Sequence, residues 1–403
     1  MLKQETIEII KSTAPVLEVH GEKITTVFYQ NLFKSHPELL NIFNHVNQKQ
    51  GRQQTALANA VYAAAVNIDQ LEKILPVVKQ IAHKHRSLGV LPEHYPVVGE
   101  NLLKAIKEVL GDAATDDIIN AWAEAYGVIA DAFIGVERDM YVQSQEQDGG
   151  WKDFRNFVVD KKVKESEVIT SFYLKPQDGG SIATFLPGQY ISLKIDIEGE
   201  EYTHIRQYSL SDAPGKDYYR ISVKREDQTE PNGKVSTYLH NHIQEGDILK
   251  LSAPAGDFVL DMESKRPLVL ISGGVGLTPL MSMLHTSAKE QPERQVIFIH
   301  AAINGNYHAM RDEVEEVAKH NANIHFYNCY QSPTEQDQKI KCYQKEGYID
   351  LNWLQTINDT KDAEYYFCGP VPFMKAINNA LIEWGIPEEQ IHYEFFGPAM
   401  TLA

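Results

Sequence analysis

The chain has 403 residues, which at roughly 150 residues per domain leaves room for two or three separate cores. With 43% hydrophobic and 23% charged residues it has the make-up of a soluble globular protein, which excludes disorder and collagen-like order. Lys and Arg total 38 against 55 Asp and Glu, and the resulting formal charge of −17 repels polyphosphate and anionic lipid, so no nucleic-acid partner is expected.

The N-terminal MLKQETIEIIKS reads as an amphipathic helix, not a signal peptide, and no run reaches the ~18 apolar residues of a membrane span. The expected location is the cytoplasm. Residues 1–148 hold 7 of the 25 glycines and 5 of the 18 prolines. Segments 2–18, 22–34, 52–66, 72–88, 95–110 and 116–141 carry apolar residues at i, i+3, i+4 spacing, which predicts a six-helix domain. The polar stretch Gln143–Gly150 reads as a junction.

Short β-branched and aromatic runs follow at 156–159, 168–174, 190–195, 205–210, 218–223 and 248–252, the spacing of a small antiparallel barrel or sandwich. From Pro267 the grammar changes once more. Apolar runs at 268–272, 295–301, 324–330 and 365–368 alternate with helical patterns at 279–290, 310–320 and 373–384, which predicts a parallel α/β sheet. Cys329, Cys342 and Cys368 are far apart and lack partner histidines at zinc spacing, so neither a disulfide framework nor structural zinc is expected. There is no internal repeat and no low-complexity tract.

In the helical part, Val78, Ile81, Ala82 and Leu88 form an apolar stripe on which His85 lies, while His83 and Lys84 point away. Two readings compete: a core histidine with a hydrogen-bond partner, and an axial ligand to haem iron. Tyr29 stands beside Phe28 and Phe33, Gln53 lies one turn before Leu57, and the intervening turn ends at Phe43. Tyr29, Phe43, Gln53, Leu57 and His85, in this order and spacing, resemble the haem pocket of the bacterial globins over essentially all of residues 1–140. The resemblance implies haem b, one per chain, with His85 on the iron, Tyr29 and Gln53 donating to bound O₂, and Phe43, Leu57 and Lys84 among the haem-binding residues. It further implies that Tyr95 and Glu137 supply the hydrogen-bond partners of the other His85 nitrogen.

In the middle part, Pro187-Gly-Gln-Tyr190 and Arg206-Gln-Tyr-Ser209 lie on predicted strands, where Arg206 and Tyr208 share a face. A guanidinium suits a pyrophosphate and an aromatic ring can cover an isoalloxazine. Together the two motifs resemble the signatures of the ferredoxin-reductase-like FAD barrel. That implies one FAD held by Tyr190, Arg206, Gln207, Tyr208 and Ser209, with Ser236 in Gly233-Lys-Val-Ser-Thr237 opening a short helix toward the pyrophosphate.

In the last part, Leu268–Ser272 runs into Gly273-Gly-Val-Gly-Leu-Thr-Pro279, a strand, glycine turn and helix start whose backbone can approach phosphate closely. It is not G-x-G-x-x-G. It is similar to the NAD(P) turn of the same reductase family, and implies Gly273, Gly274, Val275, Gly276, Leu277 and Thr278 as nucleotide-binding, with Cys368-Gly-Pro370 nearby. The C-terminal Glu394, Phe395, Phe396, Gly397 and Pro398 resemble the segment that covers the flavin, with Glu394 a tuner of its redox poise.

A globin joined to a flavin and nicotinamide reductase resembles the flavohaemoglobins over the full length. The implied architecture is an all-α globin at 1–138, a linker at 139–151, an antiparallel β-barrel FAD domain at 152–262 and an α/β parallel-sheet NAD(P) domain at 263–403. The implied activity is that of a nitric oxide dioxygenase: NADH or NADPH reduces FAD, FAD reduces the haem iron, and haem-bound O₂ converts nitric oxide to nitrate. Three alternatives stand beside it: an O₂ carrier or sensor whose reductase keeps iron ferrous, a lipid hydroperoxide reductase, and a ferric or quinone reductase with a decayed globin. The retention of Tyr29, Gln53, His85 and Glu137 weighs against the last. A monomer is expected, and lipid in the haem pocket is left open.

Overall fold

The computed structural model describes residues 2–44, 48–227 and 232–397. The chain resolves into two compact units, one holding the N-terminal helices to Phe154 together with Lys194–Arg206, the other Arg155–Leu193 and Gln207–Phe396.

The first two expected helices are one. Helix α1 runs unbroken over Gln4–Ser35, through both Pro15 and Gly21. A mid-helix glycine costs up to ~1 kcal/mol relative to alanine, yet here it serves packing, since a Cβ on Gly21 would sit 3.3 Å from Ala58 Cβ on the neighbouring helix. That neighbour is α2 (Arg52–Val66), followed by α3 (Leu75–Leu88), α4 (His94–Leu110) and α5 (Asp116–Glu146). A 3₁₀ turn, Leu71–Ile74, takes up the start of the segment expected to be one helix over 72–88. Ile10, Ile24, Phe28, Leu32, Ile106 and Trp122 are central to the core of this unit. Thr115 caps α5, accepting from the Ile118 amide at 3.4 Å. The helix then continues to Glu146, through much of the stretch read as a junction. Gln and Glu are good helix formers, so the polarity of Gln143, Gln145 and Glu146 marks exposure rather than irregular backbone.

Six strands form the first sheet: β1 (Phe154–Lys164), β2 (Ile169–Pro176), β3 (Tyr190–Ile195), β4 (His204–Ser209), β5 (Tyr219–Lys224) and β6 (Ile248–Ser252), in the order β4-β3-β6-β1-β2-β5. β1 and β2 pair antiparallel, with a register shift between Val159 and Lys161, and the short helix α6 (Lys234–Asn241) precedes β6.

The second sheet is parallel. β7 (Leu268–Gly273), β8 (Val296–Ala302) and β9 (Ile324–Tyr330) alternate with α7 (Leu277–Glu290) and α8 (Arg311–His320). After α9 (Glu335–Ile340), β10 (Lys345–Glu346) and α10 (Leu351–Ile357) come β11 (Glu364–Cys368), α11 (Val371–Trp384) and β12 (Ile391–Glu394). The order is β10-β9-β8-β7-β11-β12, so growth of the sheet reverses at β7 and its carboxyl end with β11 is a topological switch point, where open α/β sheets bind ligands. Val168, Ile169 and Phe258 share one core with Leu268, Leu280 and Phe298, so the two sheets are joined through packed apolar side chains. Among the described residues no helix is long and apolar enough to cross a membrane.

Candidate functional site

The surroundings of His85 are built by three helices. α3 ends at Gly89, in the left-handed conformation at φ +80°, and His85 occupies its last turn. From α5, the buried Glu137 presents Oε1 to His85 Nδ1 at 2.7 Å. From α4, the Tyr95 hydroxyl donates to the same oxygen at 2.6 Å and lies 3.2 Å from His85 Nδ1. A carboxylate accepts, so this arrangement puts a ring proton on Nδ1 and makes Nε2 the nitrogen that faces another partner. Burial, reinforced by the Glu137 charge, pushes the Tyr95 hydroxyl above its ordinary range and keeps it a donor. Its backbone is anchored in turn, because the Tyr126 hydroxyl donates to the Tyr95 carbonyl at 2.6 Å, and Gly99 leaves room for the Tyr126 ring, which a Cβ would meet at 2.5 Å. An imidazole with a carboxylate behind it is a donor set that suits haem iron. The residues present therefore fit a haem.

Tyr29 lies on α1, 5% exposed, with the rings of Phe28, Phe33 and Phe43 at 4.8, 5.7 and 5.7 Å. Burial pushes the Tyr29 hydroxyl above its ordinary range and keeps it protonated, and the nearby Gln53 side chain acts in the opposite, weaker sense. Gln48, which sequence reasoning missed, also acts on this hydroxyl, although its Nε2 completes no hydrogen bond in the protein. Leu57 and Phe43 pack against the same core, and Lys84 is half-buried beside His85.

On the first sheet, Arg206, Gln207 and Tyr208 are consecutive half-buried residues of β4 before the buried Ser209. Gln207 donates to Ser192 Oγ at 3.1 Å and Arg206 Nη1 to the Ile205 carbonyl at 2.7 Å. Tyr190 exchanges backbone bonds of 2.8 Å with Ala255. Its ring lies over Gly256, at φ +116°, where a Cβ would approach it to 3.0 Å. Gly188 is equally constrained, at φ +107°, because a Cβ there would overlap the Phe258 carbonyl. The Ser236 hydroxyl is engaged locally, donating to the Gly233 carbonyl at 3.0 Å and accepting from the Glu226 amide at 3.2 Å. A strand face of long polar and aromatic side chains, left half-covered, fits the flat ring and diphosphate of FAD.

The two glycine motifs of the second sheet meet at its switch point. A Cβ on Gly276 would overlap the Cys368 carbonyl, and one on Gly369 would lie 3.2 Å from the Gly273 Cα. Gly274, at φ +54°, has open space around its absent side chain, the kind of cradle a nucleotide phosphate can enter. Val275 is half-buried, Leu277 is buried, and the Thr278 hydroxyl donates to the Val275 carbonyl at 3.1 Å, closing the turn. Glu394 on β12 pairs in register with Cys368, Phe395 packs against the sheet's core, and Phe396 is 48% exposed beside Gly397. Pro398 lies outside the described residues.

Sequence reasoning also missed a charged cluster joining the two sheets. Arg220 of β5, buried, donates to Glu313 of α8 at 3.0 Å, and His285 of α7 lies 2.7 Å from the same carboxylate. These residues are remote in sequence and carry no local motif.

Three family models match in order: Globin over residues 26–133, Oxidoreductase FAD-binding domain over 156–260 and Oxidoreductase NAD-binding domain over 270–379. The flavohemoprotein of Bacillus thuringiensis subsp. konkukian is 64% identical over 403 residues, covering all of both chains, and that of Bacillus subtilis is 60% identical over 403 residues, covering 100% of this chain and 99% of its own. The flavohemoglobin of Malassezia yamatoensis, solved with bound FAD and heme, superposes with a TM-score of 0.85 at 30% identity, over 98% of this chain and 100% of that one. The flavohem-like FAD/NAD binding domain of nitric oxide dioxygenase from Vibrio cholerae is 40% identical over 61% of this chain and all of its own, with a TM-score of 0.56. With a globin unit for haem and oxidoreductase modules for FAD and NAD(P)H in one chain, and whole-length relatives at this identity, the chain belongs to the flavohemoprotein family of NAD(P)H-dependent oxidoreductases.

Proposed function

We propose that the chain is a nitric oxide dioxygenase, which uses NAD(P)H to turn nitric oxide and O₂ into nitrate. Residues 1–138 take the haem, 139–151 join, 152–262 take FAD and 263–403 take NAD(P), in a monomer working in the cytoplasm. When bound, haem supplies an iron open to a diatomic gas, and FAD divides a hydride's electron pair into single-electron steps.

The chain's own residues do the rest. His85 Nε2 would hold the iron, and Glu137 holds the proton at Nδ1 so that the imidazole would stay electron-rich. Tyr95 fixes the Glu137 carboxylate. Tyr29 and Gln53 would offer an O–H and an N–H to the bound gas, with Phe43 and Leu57 packed in the same apolar core. Arg206 would hold the flavin pyrophosphate, Tyr208 and Tyr190 its ring, and Gln207, Ser209 and Ser236 would complete the cradle. The Gly273–Thr278 turn takes the nicotinamide nucleotide, and the Glu394–Pro398 segment covers the flavin.

The observation that carries this reading is the shared Glu137 Oε1, which makes His85 a strong electron donor, as suits gas chemistry more than storage. The name carried by the Vibrio cholerae relative supports it. Rapid mixing of the reduced, aerated protein with nitric oxide tests it: fast nitrate formation sustained by NAD(P)H is expected, and a single slow turnover would reject it.

A further inference from the structure

A cleft of about 230 Å³ in the helical unit includes Glu137 in its lining. Its body is apolar, with Leu91, Ile134 and Val142 and the Tyr141 ring. Its polar ends differ sharply in exposure. Glu137 is buried, whereas Arg138 and Lys152 are exposed and mark the mouth.

Both hydrogen bonds to Glu137, from His85 and Tyr95, end on Oε1, so Oε2 is engaged by neither. Val142 is 46% exposed, an apolar wall left to water. An apolar cavity of ~150 Å³ is enough to admit benzene, so this cleft has room for a larger aromatic molecule.

We propose that the cleft binds a small aryl carboxylate that carries one N–H or O–H donor at its far end. The ring lies along Leu91, Ile134 and Val142, the donor meets Glu137 Oε2, and the carboxylate reaches Lys152 and Arg138. Charge decides the orientation: an anion is repelled by Glu137 at the floor and attracted at the mouth by Lys152 and by Arg138, which it shares with Asp139. A donor on Oε2 draws charge from Oε1 and loosens its hold on the His85 Nδ1 proton. Occupancy thus lowers the electron richness of His85 from outside the gas pocket. Binding is independent of the dioxygenase reading; only its effect on iron rests on His85 as ligand.

The test is a calorimetric titration of the full, haem- and flavin-loaded chain with indole-3-acetate, paired with the iron–histidine stretching frequency of the ferrous protein. One saturable site is expected, together with a downward shift of that frequency. Val142→Trp fills the cleft at an exposed helix position and abolishes binding at unchanged haem content, Lys152→Glu weakens it about three- to tenfold, and the N-methylated probe, lacking the donor, binds about tenfold more weakly. Absence of binding, or binding kept in Val142→Trp and lost in Leu57→Trp, overturns the site. Saturation without a frequency shift overturns the coupling to Glu137.

Discussion

His85 and the pair His300 and His308 are inward-facing histidines that the fold treats in opposite ways. His300 and His308 are 1% and 6% exposed, their rings 4.3 Å apart, and their Nδ1 atoms meet hydroxyls: Ser272 at 2.7 Å and Tyr330 at 2.8 Å. Burial drives both down, His300 to about 3 and His308 well below its ordinary range, so both are neutral core groups. His85 is about a third exposed and has a buried carboxylate on Nδ1. A histidine on an apolar face is thus not a ligand by its position. The partner of its second nitrogen separates the two cases, since a hydroxyl satisfies a neutral ring and a carboxylate makes it a donor.

That contrast can be broken by mutation. The largest effect is expected for His85→Ala, which should leave FAD bound while haem content falls by an order of magnitude or more, read as the ratio of Soret to flavin absorbance. Normal haem retention would place His85 with the core pair. Next comes Glu137→Gln, which keeps an acceptor oxygen but removes the charge behind His85. Haem should stay, the iron–histidine stretch should drop and nitric oxide consumption should fall about 10- to 100-fold, the range for lost partners of metal-bound histidine. An unchanged frequency would show that the charge does not matter.

On the side proposed to take the gas, Tyr29→Phe removes one donor from a site whose neighbours are rings and amides. O₂ release should quicken about tenfold, the value of one hydrogen bond of ~1.4 kcal/mol, with flavin reduction unaffected. Stopped-flow O₂ dissociation checks it.

The smallest effect concerns the core pair. Between about 3 and 6.5 the unfolded chain binds a proton at His300 that the folded chain refuses, so stability from this group is complete above about 6.5 and declines as pH falls. His308 acts in the same direction, next to Arg311, which also opposes its charging. His308→Phe should flatten acid destabilisation by up to about 1.4 kcal/mol per pH unit, at a cost of about 1 kcal/mol near neutrality for the lost Tyr330 bond. Denaturant midpoints across a pH series measure both.

Much of the fold was legible because local pattern and turn residues agree. α2, β3, β6 and β9 have the bounds expected of their apolar runs. Where pattern and packing disagreed, packing prevailed: Gly21 reads as a helix end and is a contact with Ala58, and the polar tail of α5 reads as a linker and is helix. β12 escaped notice because Ile391-His-Tyr-Glu394 has little apolar alternation, and it exists through its parallel register with β11.

In the site, the place of His85 on its stripe was readable, but its carboxylate was not. Glu137 lies 52 residues away, and only resemblance named it. The meeting of Gly276 with Cys368 and the His300–His308 stack are likewise long-range products of the parallel sheet. Gln48 was missed for a different reason, since a lone polar residue outside the periodic apolar runs carries no signal.

The central claim is that electrons from nicotinamide are used to turn nitric oxide into nitrate. It is tested most directly by counting nitrate formed per NAD(P)H consumed in aerated solution under steady nitric oxide supply. Electron balance predicts two nitrates for each NAD(P)H, because each nitrate needs one electron and NAD(P)H gives two. Continued NAD(P)H oxidation with nitrate far below that ratio would contradict the account.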